Sequence, residues 1–274
     1  MSTGPVADDL RADCARCFGL CCVAPAFAAS ADFALDKPAG TPCPHLLVDS
    51  RCSIHERLRP TGFRGCATFD CFGAGQKVVQ VTFHGRNWRD DPETGQAMFR
   101  AFATMRDLHE LLWYLTEAVS LDAAEIHRPE LSAARDDIEA LTRRTPDALT
   151  GLDTEAIRSR VDVLLVRVSA LVRNGDRAGL DLHGADLVEK SLSGADLRRA
   201  DLRGALLIGA GLAGADLDRA DVIGADFRGC DVRGANLRTC LFLTQFQANA
   251  ASGDAATTLP ATLIRPAHWS ASGG

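Results

Sequence analysis

A period of five narrows the fold of this chain more than any other feature. From Leu182 to Phe242 every fifth position is large and apolar, through Leu187, Leu192, Leu197, Leu202, Leu207, Leu212, Leu217, Val222, Phe227, Val232 and Leu237, without a slip. Two places earlier most units carry a small residue: Ala185, Ala195, Ala200, Ala205, Ala210, Ala215, Ala220, Ala225, Cys230, Ala235 and Cys240. A helix repeats about every 3.6 residues and a strand every 2. A chain with a period of five must therefore turn a corner once per unit, with the large and the small residue both pointing inward.

The units read "ADLRR", "ADLRG", "ADLDR" and "ANLRT", and this register resembles the pentapeptide repeat family. The resemblance implies a right-handed quadrilateral β-helix with four units per coil. The expected fold class is then mixed α and β, a repeat solenoid preceded by a Cys-rich metal-binding segment and a small helical bundle. With strands stacked about 4.8 Å apart, roughly three coils would rise only about 15 Å, so both ends need caps.

Upstream of the repeat the pattern becomes helical. Asp91 is a candidate N-cap with Pro92 at the first helical position; Met98, Phe102, Met105, Leu108, Leu112, Leu115 and Val119 then recur at three- and four-residue spacing. A second helix is expected over Pro129 to Arg143, carrying Leu131, Ala134, Ile138 and Leu141. A third, from Asp153 to Arg173, stops at Asn174-Gly175. Short connections between them suggest a bundle. The third helix is the candidate cap for one end of the solenoid, and "LTQFQANAASGDAATTLPATL" is the candidate for the other.

Eight of the ten cysteines fall between Cys14 and Cys71. Their segment is rich in Gly and Pro and shows little periodicity, so apolar burial alone is a weak basis for its fold. Metal binding can supply that free energy, about 10 kcal/mol or more for a structural zinc. Thiolate is a preferred ligand of zinc and of iron–sulfur clusters, and a Cys-x2-Cys pair can grip one ion from a tight turn. Eight thiols allow two zinc ions, one zinc with spare thiols, or a cluster with further ligands.

The run "CARCFGLCC" and the stretch "CPHLLVDSRCSIHERLRP" resemble the zinc- or iron-chelating domain family named for its CxxCxxCC motif. The resemblance implies Cys14, Cys17, Cys21, Cys22, Cys43, Cys52 and Cys66 as ligands, with Cys71 added by its position. This chain has one extra residue before the vicinal pair, and His55 stands where an aromatic residue is expected. Which of Cys21 and Cys22 ligates, and whether His55 joins them, is left open. His45 and His84 lie in or near the same segment, where they could ligate or support a ligand, but singly read as surface groups, and His109 and His127 receive no role. Arg57, Arg59 and Arg64 read as solvated loop charges or counterweights to thiolates. Gly73-Ala74-Gly75 lacks the rest of a phosphate-loop motif. Cys230 and Cys240 occupy the small inward position of the repeat and read as packing.

The chain divides at its shifts of grammar into residues 1–80, Cys-rich; 81–175, helical; 176–250, repeat; and 251–274, tail. A net charge of −6 provides no global basic field, so nucleic acid is not the expected partner. "MSTGPVADDLRADC" has neither a basic nor an apolar leader region, and no apolar run is long enough to span a bilayer. The expectation is a cytoplasmic protein with no membrane partner, in a compartment that keeps thiols reduced.

The functional expectation is a non-enzymatic protein that binds zinc or iron and uses the repeat surface to engage a protein partner, as a scaffold or regulator. One alternative is an iron or iron–sulfur enzyme of redox or group-transfer chemistry, with a cleft beside the cysteines. Another is a topoisomerase-binding DNA mimic for self-protection. For the mimic, the column Asp186, Asp196, Asp201, Asp216, Asp221 and Asp226 is interrupted by Arg198, Arg199, Arg203, Arg219, Arg228, Arg233 and Arg238.

Overall fold

Asp91 does cap the longest helix. In the computed structural model, which describes residues 9–175 and 179–271, its carboxylate accepts from the amides of Glu93 and Thr94, and Pro92 opens the helix. Residues 1–8, 176–178 and 272–274, which fall at the outer edges of the expected 1–80, 176–250 and 251–274 segments, lie outside the described residues. The chain forms two compact units, residues 1–165 and 166–274.

In chain order the α-helices are α1 (Leu20–Val23), α2 (Arg64–Thr68), α3 (Ala74–Lys77), α4 (Pro92–Ser120), α5 (Arg128–Leu141), α6 (Pro146–Thr150), α7 (Thr154–Arg173) and α8 (Gln245–Ala250). The sequence pattern anticipates α4, α5 and α7 and misses the short α1, α2, α3, α6 and α8.

The first unit is organised by α4. Met98, Met105, Leu108, Leu112 and Leu115 on one stripe are fully buried, and α3, α5 and α6 pack against α4. Helix α3 runs on into a π-helical turn, Val78–Thr82, in which the Phe83 amide reaches back to the Val78 carbonyl. The Cys-rich segment also has apolar cores that its lack of periodicity conceals. Ile54, Leu58 and Phe63 are buried together, with Phe27, Phe33 and Leu35 packed against them. Residues gathered from loops can make a core with no period, because burial needs proximity and not regular spacing.

The second unit corrects the expected fold class. A right-handed quadrilateral β-helix, and with it a mixed α and β class, requires strands, and the described residues contain none. The repeat makes isolated single-residue parallel bridges, such as Asp181 with Asp201, Asp201 with Asp221 and Asp221 with Leu241. The partners are twenty residues apart, so one circuit of the chain takes four units. Each circuit is tied to the next by backbone bonds such as Leu182 N to the Asp201 carbonyl, 2.8 Å, and Asp201 N to the Leu180 carbonyl, 2.8 Å.

The turns are the reason. In each unit a bond such as Ala205 N to the Leu202 carbonyl, 3.0 Å, closes a reverse turn, with Gly204 at φ 64°. Arg199 takes the equivalent left-handed position at φ 59°. A corner every five residues leaves one residue at a time extended enough to bridge. The inward large and small residues are as the period requires: Leu202, Leu207, Leu212, Leu217, Ala200 and Ala205 are completely buried. In the first coil Leu182, Leu187 and Leu192 are half-buried.

After Phe242 the chain turns into α8 through a capping box between Thr244 and Gln247. The Gln247 amide nitrogen donates to the Val222 and Ala225 carbonyls at 2.7 and 3.0 Å, standing at Ala225 for the next-coil amide that Asp226 supplies to Ala205. Ser252 and Thr258 then continue the parallel bridges, to Asp231 and Asn236. Trp269 is buried, its Nε1 donating to the Ala251 carbonyl at 3.0 Å.

Candidate metal centre

Two stretches of the first unit share a tripeptide and a backbone. Cys17-Phe18-Gly19 leads into α1 and Cys71-Phe72-Gly73 leads into α3. Phe18 and Phe72 each sit at φ 50°, while Gly19 and Gly73, the N-cap residues, sit at φ 69° and 80°. A bulky residue at positive φ is strained and persists only where its surroundings over-determine it. Here the strain aims backbone amides at sulfur: those of Gly19 and Leu20 at Cys17, and those of Gly73 and Gly75 at Cys71.

The neighbouring thiols are held by equally local means. Cys14 opens a 3-10 turn, Cys14–Arg16, capped by the Asp13 carboxylate, and the Cys17 Sγ lies 3.6 Å from the Cys14 carbonyl. On α1, the Sγ atoms of Cys21 and Cys22 are 3.9 Å apart. Gly75 has no room for a side chain, since a Cβ would stand 2.8 Å from the Cys17 Cβ. Its being glycine lets α3 close onto the first tripeptide, so the Gly73-Ala74-Gly75 run serves packing.

Cys43 and Cys52 come from a hairpin. Cys43 N donates to the Cys22 carbonyl at 3.0 Å, and Leu47 N to Arg51 O and Ser53 N to His45 O, at 2.8 and 2.9 Å, close the turn around a Leu46–Cys52 bridge. The sulfurs again receive amides two residues on, His45 for Cys43 and Ile54 for Cys52. Cys66, on α2, packs with Cys52 against the Ile54–Leu58–Phe63 cluster.

All eight cysteines line one cavity of about 800 Å³, with Phe27, Phe33, Phe69 and Phe102 in its walls. His45, His55 and Arg57 also line it; the His45 ring meets Phe63 edge-on at 5.2 Å, and His55 is exposed. His84 is exposed, and His127 sits 3.9 Å from Glu130. Outside this unit, Cys230 and Cys240 are buried in the coil at the small inward position, the Cys240 Sγ lying 3.2 Å from the Leu217 carbonyl.

The cavity's electrostatics separate its thiols. A side-chain bond between the two thiols, with Cys14 donating to the Cys17 sulfur, holds the Cys14 proton on and pulls the Cys17 pKa down. The Cys21–Cys22 contact does the same, raising Cys21 and lowering Cys22. Burial pushes Cys66 up to about 12 and Cys71 up to about 11.

Lys37 is a participant that the sequence reading missed. It is 3% exposed, and its Nζ donates to the carbonyls of Val23, Pro38 and Thr41 at 3.0, 3.1 and 3.0 Å, 5.2 Å from the Phe27 ring centre. Burial lowers its pKa, and the thiols of Cys43, Cys22 and Cys66 oppose that. The three carbonyls supply the hydration a buried ammonium loses. The outcome is a fixed cation beside the thiols.

The donor set suits zinc or iron in its softness. With zinc–sulfur bonds of about 2.3 Å, a tetrahedron of sulfurs has edges of about 3.8 Å. Among the described residues no three His, Cys, Asp or Glu side chains converge on one metal position. Closing the thiols on an ion takes rotation of cysteine χ1 between staggered wells.

In the second unit, arginines pair closely with three carboxylates of the acidic column, Asp196, Asp201 and Asp226, and with Asp231 beside it. The partners, Arg198, Arg203, Arg228 and Arg233, stand two residues on, at 2.6 to 2.7 Å.

A five-residue register closed by four units per circuit defines a pentapeptide-repeat protein, and the family model for pentapeptide repeats matches residues 178–212 and 205–242 in eight copies. The chain belongs to the family of the uncharacterized protein YybG of Bacillus subtilis, to which it is 56% identical over 265 residues, 95% of each chain. Solved structures match over a smaller share. A pentapeptide repeat protein from the Arabidopsis thaliana thylakoid lumen is 30% identical over 30% of this chain and 55% of its own, with TM-score 0.23. The pentapeptide repeat protein Rfr23 of the cyanobacterium Cyanothece is 32% identical over 30% and 52%, with TM-score 0.21. The chain thus spans about half the length of these two structures. Among the described residues no helix is long and apolar enough to cross a membrane.

Proposed function

We propose that this pentapeptide-repeat protein is a cytoplasmic metal-binding protein, with zinc or iron held by the thiols of the first unit and the outer surface of the coils serving to engage a protein partner. One observation carries the reading: eight thiols from separate turns, helices and a hairpin line a single cavity. The amides directed at Cys17, Cys43, Cys52 and Cys71 add to it, since N–H bonds to sulfur stabilise ligating thiolates. In this reading the metal holds the Cys-rich segment together, and the coil presents the face that a regulator or scaffold needs. The test is metal analysis of full-length protein purified without oxygen and without a metal-affinity step. Stoichiometric zinc or iron is expected, and folded protein that neither carries nor takes up either metal overturns the reading.

The size of the cavity favours a second reading, an iron or iron–sulfur enzyme of redox or group-transfer chemistry. A visible absorption spectrum separates the two, since a coloured protein with acid-labile sulfide supports the enzyme and colourless zinc protein supports the structural site.

A further inference from the structure

We infer that the eight thiols form two adjacent four-sulfur metal centres, Cys14, Cys17, Cys21 and Cys71 in one and Cys22, Cys43, Cys52 and Cys66 in the other, with the vicinal pair sending one sulfur to each. This rests on the metal-binding reading above and decides among the arrangements that eight thiols allow.

The backbone makes the division. Cys14 and Cys17 share one 3-10 turn. Cys21 follows at the start of α1, one turn beyond Cys17, where Leu20 N bonds to the Cys17 carbonyl. Cys71 joins them because Gly75 packs on the Cys17 side chain. The second set is linked step by step as well. Cys22 is tied to Cys43 through backbone, Cys43 to Cys52 through the hairpin, and Cys52 to Cys66 through the apolar cluster they share.

Each set then holds two sulfurs that accept amides, Cys17 and Cys71 in the first, Cys43 and Cys52 in the second. Mutual charge effects cross the division at Cys22, which feels Cys17 and acts on Cys14, and elsewhere stay within the sets. Cys66 feels Cys22, Cys43 and Cys52, whereas Cys21 feels Cys17 and Cys71 besides its neighbour Cys22.

The surroundings of the sets differ. Lys37 faces Cys22, Cys43 and Cys66, and its charge partly offsets that of four thiolates around a divalent ion. Asp70, next to Cys71, acts on the first set with the opposite sign. Because the Cys21 and Cys22 sulfurs are 3.9 Å apart, two ions bound at about 2.3 Å each are separated by no more than about 8.5 Å.

The test counts zinc per full-length chain in the wild type, Cys71→Ser, Cys66→Ser and the double variant. Expected are two, one, one and none, with X-ray absorption giving four sulfurs per ion in the wild type. A wild type that saturates at one ion leaves the metal-binding reading standing and overturns the division. So does a folded single variant that keeps two ions or loses both. A folded wild type that binds no zinc or iron fails the earlier reading instead. Should a serine variant not fold, cobalt titration of the unmodified chain reads the same number. Sulfur-to-cobalt charge transfer rising linearly to two equivalents supports two centres, and saturation at one overturns them.

Discussion

His109 donates from Nδ1 to the carbonyl of Phe72 at 2.7 Å, so the buried face of α4 holds the strained residue of the second Cys-Phe-Gly turn. The ring is 2% exposed, and its Nε2 has no hydrogen-bond partner among the described residues. Burial pushes its pKa down to about 4; the bond to Phe72 opposes that, Lys77 adds to it, and Glu139 and Asp9 act the other way. A core histidine kept neutral therefore supports the thiol site from behind.

That neutrality sets a pH dependence. The unfolded imidazole takes up a proton near pH 6.5 and the folded one near 4, so this contribution is fully present above about pH 6.5 and is lost as pH falls toward 4, about 3 kcal/mol in all. Urea unfolding across this range should show the decline. His109→Asn keeps a donor near the Phe72 carbonyl without the titration, and its profile, subtracted from the wild type, should isolate the histidine component. Parallel profiles would show that His109 is not its source.

Two glycines of the first unit separate backbone strain from collision. Gly73 and Gly85 sit at φ 80° and 79°, but a Cβ at Gly73 collides with the Asp9 carbonyl, whereas at Gly85 nothing lies within 4 Å. Gly85→Ala should cost about 1 kcal/mol, the left-handed penalty alone. Gly73→Ala should cost at least twice that, because a backbone carbonyl cannot rotate away. Denaturant midpoints with unchanged slopes would measure both.

In the second unit Arg203 stands between Asp201, at 2.6 Å, and Asp221, at 3.7 Å, and Asp221 is 1% exposed. Arg203→Ala leaves these carboxylates buried with less compensation and should destabilise the coil on the order of 3 kcal/mol. The Arg233 pair with Asp231 is exposed, and Arg233→Ala should leave the melting midpoint in place. Equal effects in the two variants would count against burial as the cause.

The two coil cysteines should behave as small apolar groups. Burial pushes Cys230 up to about 12, which keeps it a thiol. Peptide mapping after brief alkylation of native protein should find Cys230 and Cys240 unmodified, and Cys230→Ala should cost about 1 kcal/mol. Fast labelling of either would contradict their place in the core.

The long helix shows how far local pattern reaches. Asp91, Pro92 and the three-and-four spacing of Met98 to Leu115 specify its start and buried face, because a cap and a helical stripe are both made by residues near in sequence. The repeat shows where pattern stops. Its period specifies a corner per unit and an inward pair, and both are found. Among the described residues strands are not, because a turn closed every five residues breaks every ladder after one bridge.

At the thiol site, sequence by itself determined that cysteines cluster and that Cys-Phe-Gly occurs twice, since composition and local spacing are properties of the chain. Only the tertiary structure decided that Phe18 and Phe72 share a left-handed backbone, and that Cys71 meets the first turn through Gly75. It also decided that three carbonyls hold the Lys37 ammonium inside. These relations join residues far apart in the chain, and their energies depend on which groups burial brings together, a quantity no local spacing encodes.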